Sequence, residues 1–227
     1  MTYIIVYMKF GAFQADEKKS ARKARCVPDA RGALTFSAAA GIMMPKGGER
    51  MDQAISEWMD AQLPVIRLPR YRDIPDVGLY LEQVTRYVSD SLEPLGQGEL
   101  TGSMVSNYVK KGILASPVRK QYGREQIAHL IYITVVKSVL PMEDIRLMLS
   151  IQKRTYDSAV AYDYFCTELE NVLDYVFGRK PEMDAVGVER TAGEKLMLRN
   201  TIITVAHKVY LTRLCAVLRE QEERTGR

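Results

Sequence analysis

The chain has 227 residues, 47% of them hydrophobic, with 32 Lys and Arg against 28 Asp and Glu for a net charge of +4. That is enough apolar material for a real core in one or two domains, and so mild a total charge matters only where it is concentrated. Cys26, Cys166 and Cys215 are far apart, odd in number and outside any C-x-x-C pattern, which excludes a disulfide framework and points to a reducing, cytoplasmic setting.

Residues 1–50 show no persistent helical or strand period. A basic run (Lys18, Lys19, Arg22, Lys23, Arg25) precedes a short apolar stretch that starts too late and ends without an A-x-A exit, unlike a signal peptide. Lys46-Gly47-Gly48-Glu49 can be coded by a ribosome-binding sequence just ahead of Met51. Residues 1–50 are therefore expected to be either an upstream start or a disordered arm, whose basic content would suit DNA. No segment is expected to hold the eighteen or so apolar residues that span a bilayer, so no membrane partner is expected.

From Met51 the pattern becomes regular. Met51–Ala61 reads as an amphipathic helix with Trp58 as a core anchor. Residues 63–75, with Pro64, Pro69 and Pro75, read as an extended brace. Helices follow at 77–92, 101–111, 124–140 and 142–152, closing a first domain (residues 51–153).

The stretch LTGSMVSNYVKKGILASPVRKQYGR, from Leu100 to Arg124, holds five basic residues and no acid. Met104, Val105, Tyr108 and Val109 share one helical face, and Ser103, Ser106, Asn107 and Lys110 share the other. Hydroxyl and amide groups beside lysines suit a major groove, where they read base edges while ammonium groups neutralise phosphate. Lys111-Gly112 ends the helix, because glycine takes the left-handed C′ position at little cost. Ser116-Pro117 turns the chain, and Val118–Tyr122 is short and extended enough for a β-wing closed by Gly123. Pro141 opens the next helix, with Glu143 and Asp144 in its first turn. A basic helix of this kind on its own is more often a solvated surface; the order of elements after it carries the reading.

This order resembles the mercury-resistance-regulator (MerR-type) winged helix-turn-helix. Tyr108, Gly112, Leu114, Tyr122, Ile127, Pro141, Ile145 and Leu149 stand at the corresponding places. Over about residues 60–177 the chain is also similar to a bacterial family of unknown function distantly related to those regulators. That likeness is carried by Leu68-Pro69-Arg70-Tyr71, Ile74-Pro75-Asp76, Leu79-Tyr80-Leu81-Glu82-Gln83-Val84 and Leu100-Thr101. Two departures stand out: an extra loop, Glu93–Glu99, separates the two reading helices, and the wing offers Arg119 and Lys120 in place of an arginine two residues before its tyrosine. The resemblance implies a transcription regulator.

The tail, residues 154–227, is expected to dimerise and to receive any signal. Its first helix, 157–177, is expected to bury Val160, Ala161, Tyr164, Phe165, Leu169, Val172, Leu173 and Val176. A loop follows at 181–187. The second helix, 190–223, carries the stripe Leu196, Ile203, Ala206, Tyr210, Leu214 and Val217. It is long enough to call for a homodimer partner, the alternative being a monomer in which it folds back on the first helix. Cys166 and Cys215 read as buried small hydrophobes. Tyr156, Tyr162, Tyr164 and Tyr175 fit either a small-molecule pocket or helical packing, and no effector is named.

The fold expected is thus mainly α, a winged helix-turn-helix followed by a helical C-terminal part. The function expected is sequence-specific binding of duplex DNA as a dimer. Ser103, Ser106 and Asn107 are placed at base edges, Lys110, Lys111, Arg119, Lys120 and Arg124 at phosphates, and Tyr122 is placed to brace the wing against the DNA backbone. The competing class is a protein-interaction module on the same scaffold. No phosphate loop, zinc-protease motif or nucleophile elbow is present in the sequence, so no catalysis, metal or cofactor is expected.

Overall fold

A computed structural model describes residues 26–28, 34–36, 66–96, 98–183 and 193–225. The chain divides between Lys46 and Gly47. On the N-terminal side, where no regular element is expected, strand β1 (Cys26–Pro28) pairs antiparallel with β2 (Leu34–Phe36), Cys26 opposite Phe36. The expectations for a start at Met51, a helix over 51–61 and Trp58 as an anchor lie outside the described residues.

The C-terminal side is mainly helical, as the sequence predicts. Strand β3 (Leu79–Tyr80) leads directly into α1 (Leu81–Leu92), a 3₁₀ turn (Glu93–Leu95) and α2 (Gly102–Lys110). Strand β4 (Gln121–Tyr122) precedes α3 (Arg124–Val136), α4 (Met142–Thr155), α5 (Ser158–Val176) and α6 (Gly193–Thr225). The helix expected over 77–92 therefore begins at Leu81, not Val77. Its expected first turn is extended instead, with Leu79 opposite Tyr122 and Tyr80 opposite Gln121 in an antiparallel pair. Gly78 permits that approach: a Cβ there would lie 2.7 Å from Gln121 Cβ.

Helix ends follow local chemistry. Thr101 caps α2 by accepting from Met104 N at 3.3 Å. At the other end Gly112 takes φ 65°, with Gly112 N donating to Val109 O and Ile113 N to Tyr108 O. This is a Schellman closure. Gly178 closes α5 in the same way, at φ 72°.

α3 is the hub. All ten residues from Ile127 to Val136 are buried, and α1, α5 and α6 pack against it. A single core runs from Ile66 through Val209, so no gap between two cores falls at Lys153. The α5 stripe holds at Phe165, Leu169, Val172 and Leu173, which are buried, and in part at the half-buried Ala161, Tyr164 and Val176; Val160 is exposed and Tyr162 is buried in addition. The α6 stripe is shifted: Leu196 is exposed and Ile203 and Tyr210 are half-buried, while Ile202, Val205, Ala206 and Val209 are buried. The loop expected at 181–187 is described only to Met183. Contrary to the sequence reading, one helical stretch, Gly193–Glu220, is long and apolar enough to cross a membrane, at a mean hydropathy of 1.3. Lys208 and Arg213 interrupt it, and the buried residues on its N-terminal half face α5.

Candidate nucleic-acid interface

The outer face of α2 and the tip of the β4 hairpin present the basic residues. Val105 and Tyr108 are buried under α2 and fix its rotation, which leaves Ser103, Ser106, Asn107, Lys110 and Lys111 exposed. The Ser103 hydroxyl pairs with that of Thr101 at 2.9 Å. Ser106 Oγ donates to Gly102 O at 2.8 Å, so its proton is committed to the helix and its lone pairs face outward. The Asn107 carboxamide makes no hydrogen bond among the described residues.

The hairpin is a two-residue turn. Val118 N donates to Gln121 O at 3.0 Å, and Gln121 N donates to Val118 O at 2.9 Å. Arg119 and Lys120, at its two central positions, have φ of 51° and 65°. Such I′-type turns normally carry Asn-Gly, because both residues must be left-handed. Two long basic side chains stand there instead, both exposed. Lys110, Lys111, Arg119 and Lys120 form no ion pair among the described residues.

Two expected site residues sit elsewhere. Tyr122 is 5% exposed, packed in the core, and burial raises its phenol pKa above the ordinary value. It supports the wing from below and cannot meet a ligand's backbone. Arg124 turns inward: its Nε donates to Ile74 O at 2.9 Å, Nη2 lies 3.7 Å from Asp76 Oδ1, and its guanidinium sits 5.8 Å from the Tyr71 ring centre. Its charge is spent on bracing the 71–76 loop.

Other positioning residues escaped the sequence reading. Gln126 accepts from Gly123 N at 2.8 Å and donates to Ala115 O and Ser116 O, stapling the base of the wing to α3. Farther back, Glu170 on α5 accepts from Leu68 N at 3.0 Å and from Arg70 Nη1 and Nη2 at 2.9 and 2.7 Å. Asp163 takes the Tyr71 N–H at 2.7 Å, and Asp174 lies 3.4 Å from Arg67. The expected brace is thus a strap held by one acidic edge of α5.

Residues 69–165 match the model of a family described as a domain of unknown function, DUF1836. The matched stretch starts in the strap and runs through α2, the hairpin, α3 and α4 into α5. No curated protein and no solved structure matches significantly. The match agrees with the expected likeness to a family of unknown function; nothing in it reaches the MerR-type regulators.

The cysteines divide. Cys166 is buried, and burial pushes its thiol up to about 12, in keeping with a small hydrophobe. Cys215, expected to be buried, is exposed. Among the described residues no group of His, Cys, Asp and Glu could hold a metal ion.

Proposed function

We propose that β3, α1, α2 and the β4 hairpin form a winged helix-turn-helix that reads duplex DNA and regulates transcription, with α2 in the major groove and the wing tip on phosphate. The observation that carries this reading is the set of four cations without an ion pair among the described residues, Lys110, Lys111, Arg119 and Lys120, on the outer face of α2 and on a strained two-residue tip. Ser103, Ser106 and Asn107 precede Lys110 and Lys111 along the exposed side of α2 and offer acceptors and an amide to base edges.

The test is fluorescence anisotropy of the purified full chain on its own upstream DNA and on a scrambled duplex, across a salt series. Lys110→Ala is expected to weaken both duplexes alike and to flatten the log–log salt slope by about one. Asn107→Ala is expected to cost about 1–3 kcal/mol, mainly on the preferred site. Unchanged affinity in both variants would refute DNA reading.

A second reading, a protein-interaction module, is favoured by the apolar side chains around the wing. Val77, Tyr80 and Val118 are 72%, 54% and 74% exposed. It would predict that Tyr80→Ser, not Lys110→Ala, abolishes function.

We infer further that a second copy of the chain covers the end of α6. Beyond Tyr210 none of the helix's described side chains is buried, and Leu211 is 56% exposed. Arg213 still bonds to Pro94 O and lies over the Phe177 ring; beyond it, at 1.5 Å per residue, the helix extends roughly 18 Å. Sedimentation equilibrium is expected to give a dimer that Leu211→Glu with Leu218→Glu dissociates; a monomeric wild type would overturn this part of the reading.

A further inference from the structure

A cleft of about 450 Å³ lies between the turn after α1, α2, the end of α3 and the middle of α6. Small-molecule sites usually measure roughly 300–1,000 Å³. Its described walls bring together three cations and no acid: Lys137 at the end of α3, and Lys208 and Arg213 on α6. None of the three belongs to the basic run between Leu100 and Arg124, and only the fold makes them neighbours. Gly96, Gly98, Lys208 and Thr212 are exposed, so the cleft opens to solvent.

The three cations are held in place without being neutralised. Lys137 Nζ meets only the Met104 thioether, a weak acceptor at 3.6 Å. Lys208 Nζ donates to Ser138 O at 2.7 Å, and Arg213 Nη2 donates to Pro94 O. Met104 and Ser138 are themselves in the wall, so both ammonium groups stand at the cleft and not behind it. Among the described residues none of the three forms an ion pair. Burial lowers the pKa of Lys137, and burial followed by the charge of Arg179 lowers that of Arg213. Partly dehydrated cations without a counter-ion favour an anion beside them. The remaining wall is apolar: Leu95, Tyr108 and Val209 are buried, and Met104 lies at the rim.

We propose that this cleft binds a small organic phosphate, a monoester whose body is uncharged. The phosphate of a monoester carries close to two negative charges near neutral pH and three acceptor oxygens. A lone carboxylate brings one charge and two oxygens, too few for three cationic donors on two helices. The organic body lies on Leu95, Met104, Tyr108 and Val209, which inorganic phosphate leaves uncovered. Lys110, Lys111, Arg119 and Lys120 are not in this wall. The site therefore stands apart from DNA reading, and its test contains no DNA.

The test is a ³¹P NMR titration of the full chain with phenyl phosphate, inorganic phosphate and dimethyl phosphate, each alone. Saturable binding of phenyl phosphate is expected, about tenfold tighter than inorganic phosphate because the ring covers the apolar wall. Dimethyl phosphate, a diester with one charge like a DNA backbone unit, should bind weakest. Lys137→Met and Lys208→Met keep the apolar stems and should each weaken phenyl phosphate about tenfold. Arg154→Met, on α4 outside the cleft, should leave it unchanged. Lys208 is exposed, so its variant decides the matter should Lys137→Met not fold. A shift that never saturates would overturn the proposal, as would binding indifferent to both lysine variants or weakened equally by Arg154→Met. Inorganic phosphate binding as tightly as phenyl phosphate would overturn the organic body, and dimethyl phosphate doing so would make a nucleic-acid backbone the occupant instead.

Discussion

Glu170→Ala is expected to destabilise the fold by about 3 kcal/mol, read as a lowered urea midpoint with an unchanged slope. A buried ion pair is weak evidence of net stability, because desolvating both partners offsets their attraction. Deleting one partner is different. Glu170 takes three donors at once, and its side chain is 8% exposed. Without it, the buried Leu68 N–H is orphaned, and the Arg70 guanidinium, 31% exposed, loses the hydrogen-bonded carboxylate that raises its pKa. Glu170→Gln separates the two terms. Its amide oxygen still accepts from Leu68 N, but its NH₂ group faces a guanidinium, so a smaller loss of about 1–2 kcal/mol is expected. Equal, small losses in both variants would mean that the strap contributes nothing.

This clamp marks where the sequence stops being informative. Arg70 and Glu170 are 100 residues apart, and neither stands in a local pattern that names the other. The proline spacing of 63–75 predicts an extended segment, which the described part follows up to Arg70 before a 3₁₀ turn at Tyr71–Asp73; it holds nothing about what lies beneath. In contrast, the ends of α2 were legible, because Thr101, Gly112 and the residues between them act on their own neighbours. The same holds for Pro141 ahead of α4 and Gly178 after α5. Strand β3 was missed because two residues cannot show a period, and its partners, Tyr122 for Leu79 and Gln121 for Tyr80, come far later in the chain.

The candidate interface divides along the same line. Exposure of Ser103, Ser106, Asn107, Lys110 and Lys111 follows from the spacing of Val105 and Tyr108 on one helix. Arg124 follows from nothing local. By composition it belongs to the basic wing, yet its partners Ile74 and Asp76 come from an earlier loop. Tyr122 and Cys215 show the same limit in opposite senses, one expected at the surface and found buried, the other the reverse. Rotation of α6 about its axis is set by packing on α3 and α5, which shifts its expected stripe; on α5 only Val160 departs to the surface.

The wing tip yields the last expectation, in which stability and binding move in opposite directions. Arg119→Asn with Lys120→Gly is expected to stabilise the fold by about 1–2 kcal/mol, since each left-handed position costs a branched or long side chain roughly 1 kcal/mol and Asn-Gly meets both at little strain. The hairpin's paired bonds between Val118 and Gln121 are backbone bonds and survive the change. On DNA, the same variant removes two cations that nothing in the described protein neutralises. Its affinity should fall on specific and scrambled duplexes alike, with the salt slope flatter by about two. A destabilised variant would mean that the tip is not strained. A stabilised variant with full affinity and an unchanged slope would place the tip away from phosphate. A gain in stability with a loss of binding would show strain retained at a functional surface, where the residues that fold best are not the residues that bind.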